Sequence, residues 1–139
     1  LVNSAGALVG INSFIVAPTE DGGSIGLGFA IPANDARKIA QSLIKDGQVK
    51  HAEIGVNAVS DVSAGSSQGA RAANITDNSA AQKAGIREGD IITKVGNRIV
   101  HNSAELTVAV RANDIGAKVP VVLVRDGREM TIDVVLQSD

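Results

Sequence analysis

Ala52-Glu53-Ile54-Gly55-Val56-Asn57-Ala58-Val59 is the stretch on which the fold of this chain turns. Ile54, Val56 and Ala58 alternate with Gly55, Asn57 and Val59, the period of a half-buried strand. Gly55 lies near its start, where the lack of a Cβ lets the backbone open into a turn with outward-pointing N–H groups. Such a turn is a nest for a carboxylate, and a free strand edge beside it can accept an extended peptide.

Downstream, the pattern predicts strands over 69–75 and 90–95, a short helix over 79–84, and a Gly96-Asn97 turn. A helix over 103–112 follows, capped by Asn102. Two last strands, 119–125 and 129–137, are joined by Asp126-Gly127, a dipeptide that tight hairpin turns prefer. Pro120 assigns the start of its strand to an edge or an end. Residues 60–68, rich in Ser, Gly and Ala, read as a mobile loop.

Upstream, strands over 7–16 and 25–31 flank a Pro/Gly-rich break at 18–24 and form a hairpin that Pro32 ends. Asn34 is the expected cap of a helix whose Ala36, Ile39, Ala40, Leu43 and Ile44 share one face, and Gly47 stops it. The polar residues 48–51 are read as a linker, giving domains of 1–47 and 52–139.

The 139 residues are 44% apolar, but Phe14 and Phe29 are the only aromatics, so the core must come from Val, Ile, Leu and Ala. A net charge of −2 with almost no aromatic stacking surface argues against nucleic acid as a partner. Without cysteine there is neither a disulfide nor a thiolate nucleophile. No apolar run reaches membrane-spanning length. The chain opens in mid-pattern at Leu1-Val2-Asn3, which reads as a piece of something longer.

The run Ala84-Gly85-Ile86-Arg87-Glu88-Gly89-Asp90-Ile91-Ile92, with 69–75 and Ser79 to Lys83 before it, resembles a PDZ domain of the bacterial kind. Leu1-Val2-Asn3, Leu8-Val9-Gly10-Ile11-Asn12-Ser13 and Gly26-Leu27-Gly28-Phe29-Ala30-Ile31-Pro32-Ala33-Asn34 resemble the end of the trypsin-like domain of HtrA (Deg) family proteases. The resemblance implies a mainly β fold with α: the last two strands and C-terminal helix of a trypsin-like barrel, then a PDZ domain, a small sandwich or barrel with two helices. It implies the C-terminal portion of a serine endopeptidase in protein quality control, with the PDZ domain binding C-terminal or extended segments of substrates and regulating the protease. In that family the Leu-Val-Asn run directly follows the Gly-Asn-Ser-Gly-Gly segment of the nucleophile, and the catalytic histidine and aspartate lie earlier still. No catalytic residue is therefore expected in this chain, which alone should be inactive. The resemblance also implies a periplasmic or extracytoplasmic setting in the bacterial envelope, membrane anchoring through an upstream part, trimers of the intact protein, and no cofactor.

By the same resemblance Asn12, Ser13 and Phe14 run alongside substrate in the intact enzyme, and Gly26 and Gly28 open a side-chain pocket. Glu53, Ile54, Gly55, Val56, Asn57 and Ala58 form the peptide-binding strand and nest, although the family often carries a larger apolar or aromatic residue where Glu53 stands. Ser103, Thr107 and Val110 share one face of the facing helix, whereas Leu106, Ala109 and Val108 read as core.

The residues agree with the absence of a site for bond-breaking chemistry. His51 and His101 adjoin no candidate nucleophile, read as solvated, and with scattered carboxylates give no metal-ligand spacing. Glu20-Asp21 and the Glu88/Asp90 pair read as solvated loop charge. Gly26 to Ile31 fails as a dinucleotide fingerprint, because Ile31 replaces the third glycine and Pro32 precedes the helix. The alternative is a non-catalytic module docking a partner or a neighbouring subunit; a site-2 or tail-specific envelope protease fits 26–32 less well.

Overall fold

The computed structural model describes residues 1–15, 26–60 and 69–139, and they divide into two compact units, Leu1–Val49 and Lys50–Asp139. The expected hairpin tip, the Glu20-Asp21 pair and nearly all of the 60–68 loop lie outside the described residues.

In the first unit, β1 (Gly10–Ile15) and β2 (Gly28–Pro32) pair antiparallel as an open two-stranded sheet. Phe14 and Phe29 meet across it with ring centroids 6.1 Å apart. Helix α1 (Ala33–Asp46) begins directly at the strand's end, so Pro32 occupies the cap position and Asn34, the expected cap, lies inside the first turn. Pro32 fits there because its fixed φ and missing N–H cost nothing before the first helical hydrogen bond. Gly47, at φ +68°, closes the helix by donating its N–H to the Leu43 carbonyl. The apolar stripe of α1 buries none of its residues.

The second unit is built on a sheet ordered β4-β5-β6-β8-β9, with β7 also paired to β6. Its strands are β4 (Val56–Ser60), β5 (Ala70–Ile75), β6 (Ile91–Val95), β7 (Arg98–Ile99), β8 (Lys118–Arg125) and β9 (Arg128–Val135). A second small pair joins β3 (Ala52–Glu53) to β10 (Gln137–Ser138). Val119, Val121 and Leu123 alternate inward along β8, meeting Ile92, Val95 and Val134 in an aliphatic core. Asp126 and Gly127 take φ of +51° and +74°, as a tight hairpin turn of the right twist requires. Pro120 sits where β8 is laddered to β9 alone; its carbonyl accepts from Gly96 N–H at 2.8 Å, so the N–H it lacks would face that turn and not β9.

Helix α2 (Ala80–Ala84) is capped by Ser79, whose hydroxyl accepts from Gln82 N–H. Helix α3 (Ser103–Arg111) is capped by Asn102, which accepts from Glu105 N–H at 2.9 Å, while the Glu105 carboxylate accepts from His101 N–H at 3.0 Å. Asp90 overturns the solvated-charge expectation: it is 1% exposed and takes two 2.7 Å bonds from Arg125 and one of 2.8 Å from Arg87 N–H. Burial opposes its ionisation, but the Arg125 hydrogen bonds, the Arg87 N–H and the nearby positive charge outweigh burial and hold the carboxyl below its ordinary range. Glu88 is exposed, as expected. No helix among the described residues is long and apolar enough to cross a membrane.

Candidate peptide-binding groove

Gly55 divides the predicted strand in two, β3 before it and β4 after it, at φ +71°. The carbonyls of the turn are committed backwards, Ile54 accepting from Ala81 N–H at 2.8 Å and Gly55 from Thr76 N–H at 2.9 Å. The Thr76 to Gly55 bond makes Val56 opposite Ile75 a pair of the kind that does not exchange hydrogen bonds. Both backbone groups of Val56 therefore face the other edge of β4, which ends the strand order and, among the described residues, has no strand beside it.

That edge looks across a groove of about 530 Å³ to α3. Every sequence-predicted residue of the peptide site lines it: Glu53, Ile54, Gly55, Val56, Asn57 and Ala58 on one side, Ser103, Thr107 and Val110 on the other. Their positions differ in depth. Thr107 is exposed on the helix wall, but Val110 is 4% exposed and belongs to the core, so it forms the base of the groove and not an outward face shared with Ser103 and Thr107. Leu106, read as core, is buried and also lines the groove, whereas Val108, read as core, is 59% exposed on the far side of α3. Sequence reasoning missed Arg111 and Thr76, which line the groove as well. Spacing pointed to Arg111, one turn beyond Thr107 on the same helix face.

The direction of α3 follows from its first residue. Ser103 meets Ser60 at the far end of β4, and the helix then runs back toward β3 and the Gly55 turn. Eight residues of helix rise about 12 Å, close to the length of β4, so Arg111 stands level with the turn. Glu53 and Arg111 thus give that end of the groove one charge of each sign. His101 does not line the groove; its ring pairs with Glu105 at 2.8 Å on the surface and, through that bond first, keeps the Glu105 carboxyl below its ordinary range. His51 uses its backbone to pair with Asp139.

In the first unit Asn12, Ser13, Phe14 and Gly28 line a separate cavity of about 520 Å³ along β1 and β2. Gly26, at φ +83°, borders the undescribed residues 16–25.

Residues 33–136 match the family model of the PDZ domain. The periplasmic serine endoprotease DegP of Escherichia coli K12 is 39% identical over 105 residues, covering 70% of this chain and 22% of DegP. The serine protease PepD of Mycobacterium tuberculosis is 40% identical over 106 residues, covering 73% of this chain and 22% of PepD. The chain thus spans a little over a fifth of the length of these curated relatives. Among solved structures, the HtrA-type protease AlgW with a decapeptide superposes at a TM-score of 0.68 and 28% identity, over 99% of this chain and 44% of that one. A serine endoprotease from Yersinia pestis superposes at 0.63 and 30% identity, over 99% and 46%. A groove between a free strand edge and a helix, reached from the fold alone, and a family match from Ala33 to Leu136 lead to one conclusion: the chain belongs to the PDZ domain family.

Proposed function

We propose that this chain is the peptide-binding portion of an HtrA-type serine endopeptidase of the bacterial envelope, and that the groove between β4 and α3 receives the free C-terminus of a substrate or regulatory peptide. The observation that carries this is the open edge at Val56, whose N–H and C=O face a groove whose base is apolar. A peptide laid antiparallel to β4 extends the sheet by one strand. Its carboxylate rests on the N–H groups of the Gly55–Val56 turn, and its last side chain enters between Ile54, Leu106 and Val110. Asn57 and Ala58 flank the peptide backbone, and Ser103 and Thr107 form the helix wall. The similarity to a periplasmic serine endoprotease and to a second serine protease supports the protease part of this reading, and the first supports the periplasmic part.

On this reading residues 1–47 complete a trypsin-like domain, 48–51 link it to the groove-bearing domain 52–139, and Asn12, Ser13, Phe14, Gly26 and Gly28 border the substrate path in the intact protein. The serine, histidine and aspartate come from the rest of that protein, which is anchored or free in the envelope and assembles as a trimer. The chain alone hydrolyses nothing.

Titration calorimetry with a short peptide ending in Val, as free acid and as amide, tests the groove. Charge-assisted bonds to the carboxylate contribute about 1.5–3 kcal/mol each, and burial of the terminal side chain about 1.5–3 kcal/mol. Ordering the peptide offsets much of this, so binding of the free acid is expected at around micromolar concentration. Equal binding of acid and amide would refute the nest.

A further inference from the structure

The two walls of the groove touch at one end. Ser60, the last residue of β4, and Ser103, the first of α3, hold their hydroxyls 3.2 Å apart, and Ser103 N–H donates to the same Ser60 Oγ at 3.4 Å. At the opposite end the groove is lined by Glu53, Ile54 and Gly55 of the turn and by Arg111 of α3. A strand added to β4 needs about 4.8 Å between backbones, and its own side chains require further space toward the helix. A hydrogen bond running directly from the strand's side chain to the helix leaves no room for a peptide backbone between Ser60 and Ser103.

We propose that the Ser60–Ser103 pair is a clasp that sets the length of ligand the groove accepts. It rests on the groove reading above and deepens it by setting how much of the tail is seated: the last residues only, with longer extended segments admitted only when the clasp breaks. The carboxylate lies at the Gly55 turn, and an antiparallel peptide advances about 3.4 Å per residue, as β4 does. About four terminal residues therefore fit beside Val56 to Val59 before the chain meets the clasp. Upstream residues leave over the groove's rim and add little affinity. Neither serine is buried, so opening the clasp exchanges two hydrogen bonds for bonds to water, a small cost that substitution can remove without disturbing the core.

The test uses the whole 139-residue chain and two peptides with the same apolar free C-terminus, a tetrapeptide and an octapeptide. The unaltered chain is expected to bind both within about twofold, because residues beyond the fourth gain no seat. Ser60→Ala removes both clasp bonds; it is expected to leave the tetrapeptide's affinity unchanged and tighten the octapeptide about threefold to tenfold. Ser103→Ala leaves the Ser103 N–H to Ser60 bond in place and is expected to give a smaller gain. An octapeptide already tenfold tighter than the tetrapeptide in the unaltered chain would overturn the clasp, as would a length ratio that Ser60→Ala does not move. Failure of the groove reading looks different: neither peptide then binds either protein, and the clasp falls with it.

Discussion

Replacing Gly55 by alanine tests at one atom how the groove depends on the fold. At φ +71° a side chain already carries a cost of about 1–2 kcal/mol in the left-handed region. The added methyl would also clash with Ser79 Cβ and lie 3.0 Å from its hydroxyl oxygen. Rotating the serine cannot relieve the first contact, because a Cβ is fixed to the backbone. Ser79 must move, and it is the buried residue whose hydroxyl caps α2 by accepting from Gln82 N–H at 3.2 Å. A lost serine cap costs about 1 kcal/mol, and overpacking of a tight site about 1–3 kcal/mol. The expected loss is about 3–6 kcal/mol, of which the contact with Ser79 supplies about 2–4 kcal/mol, or roughly 10 °C or more in melting temperature for a unit of this size. Gly127→Ala is the control: it has a similar φ of +74° but nothing within 4 Å of the added carbon, so it isolates the backbone cost. Thermal melts and urea midpoints of the two variants give the comparison. A Gly55→Ala protein no less stable than Gly127→Ala would refute the close packing of the turn on Ser79.

Asp90→Ala leaves Arg125 without its partner in a largely buried site and is expected to cost about 3 kcal/mol or more by urea denaturation. Because the folded-state carboxyl is held below its unfolded value, its stabilisation is present above about pH 4 and is lost as pH falls through the lower folded value; Asp90→Asn should flatten that acid limb of a stability–pH curve. At the turn end of the groove, Arg111→Gln is expected to weaken and Glu53→Gln to strengthen binding of a free-acid peptide by up to about fivefold, with neither changing binding of the amide, as calorimetry at low salt would show. Thr107→Arg should block the groove while leaving the melting temperature within a few degrees, since Thr107 is exposed on the helix wall.

What was legible in the sequence was legible because its cause is local. Asp126-Gly127 makes its hairpin through two positive φ values, Asn102 caps α3 through a residue three places on, and the Ile54, Val56, Ala58 alternation needs only a period of two. Asp90 was misread because the partner that makes its burial tolerable, Arg125, is 35 residues away, and nothing in the neighbouring sequence distinguishes a paired carboxylate from a solvated one. Pro32 displaced Asn34 as the α1 cap because β2 runs into the helix without an intervening loop, a property of the junction and not of either residue. β3, β7 and β10 are two residues each, too short to carry a periodicity.

The helix faces show the limit of periodicity most clearly. In α3 the pattern groups Leu106, Ala109 and Val110 correctly only when the helix is known to sit between a sheet and a groove; adjacency in sequence drew Val108 inward, although it lies about 100° per residue from its neighbours and faces away. In α1 the stripe was read correctly and yet buries nothing: Ile44, on its apolar face, is 86% exposed. An amphipathic pattern records that a face is suited to burial, and a core forms only where elements supply surfaces on more than one side. The second unit has them, with α2, α3 and the sheet enclosing Ile92, Leu123 and Val134, while a hairpin and one helix in the first do not. Within the second unit the base of the groove, Leu106 and Val110, is part of that enclosed core, so Leu106→Ala or Val110→Ala should lower the melting temperature and the peptide affinity together.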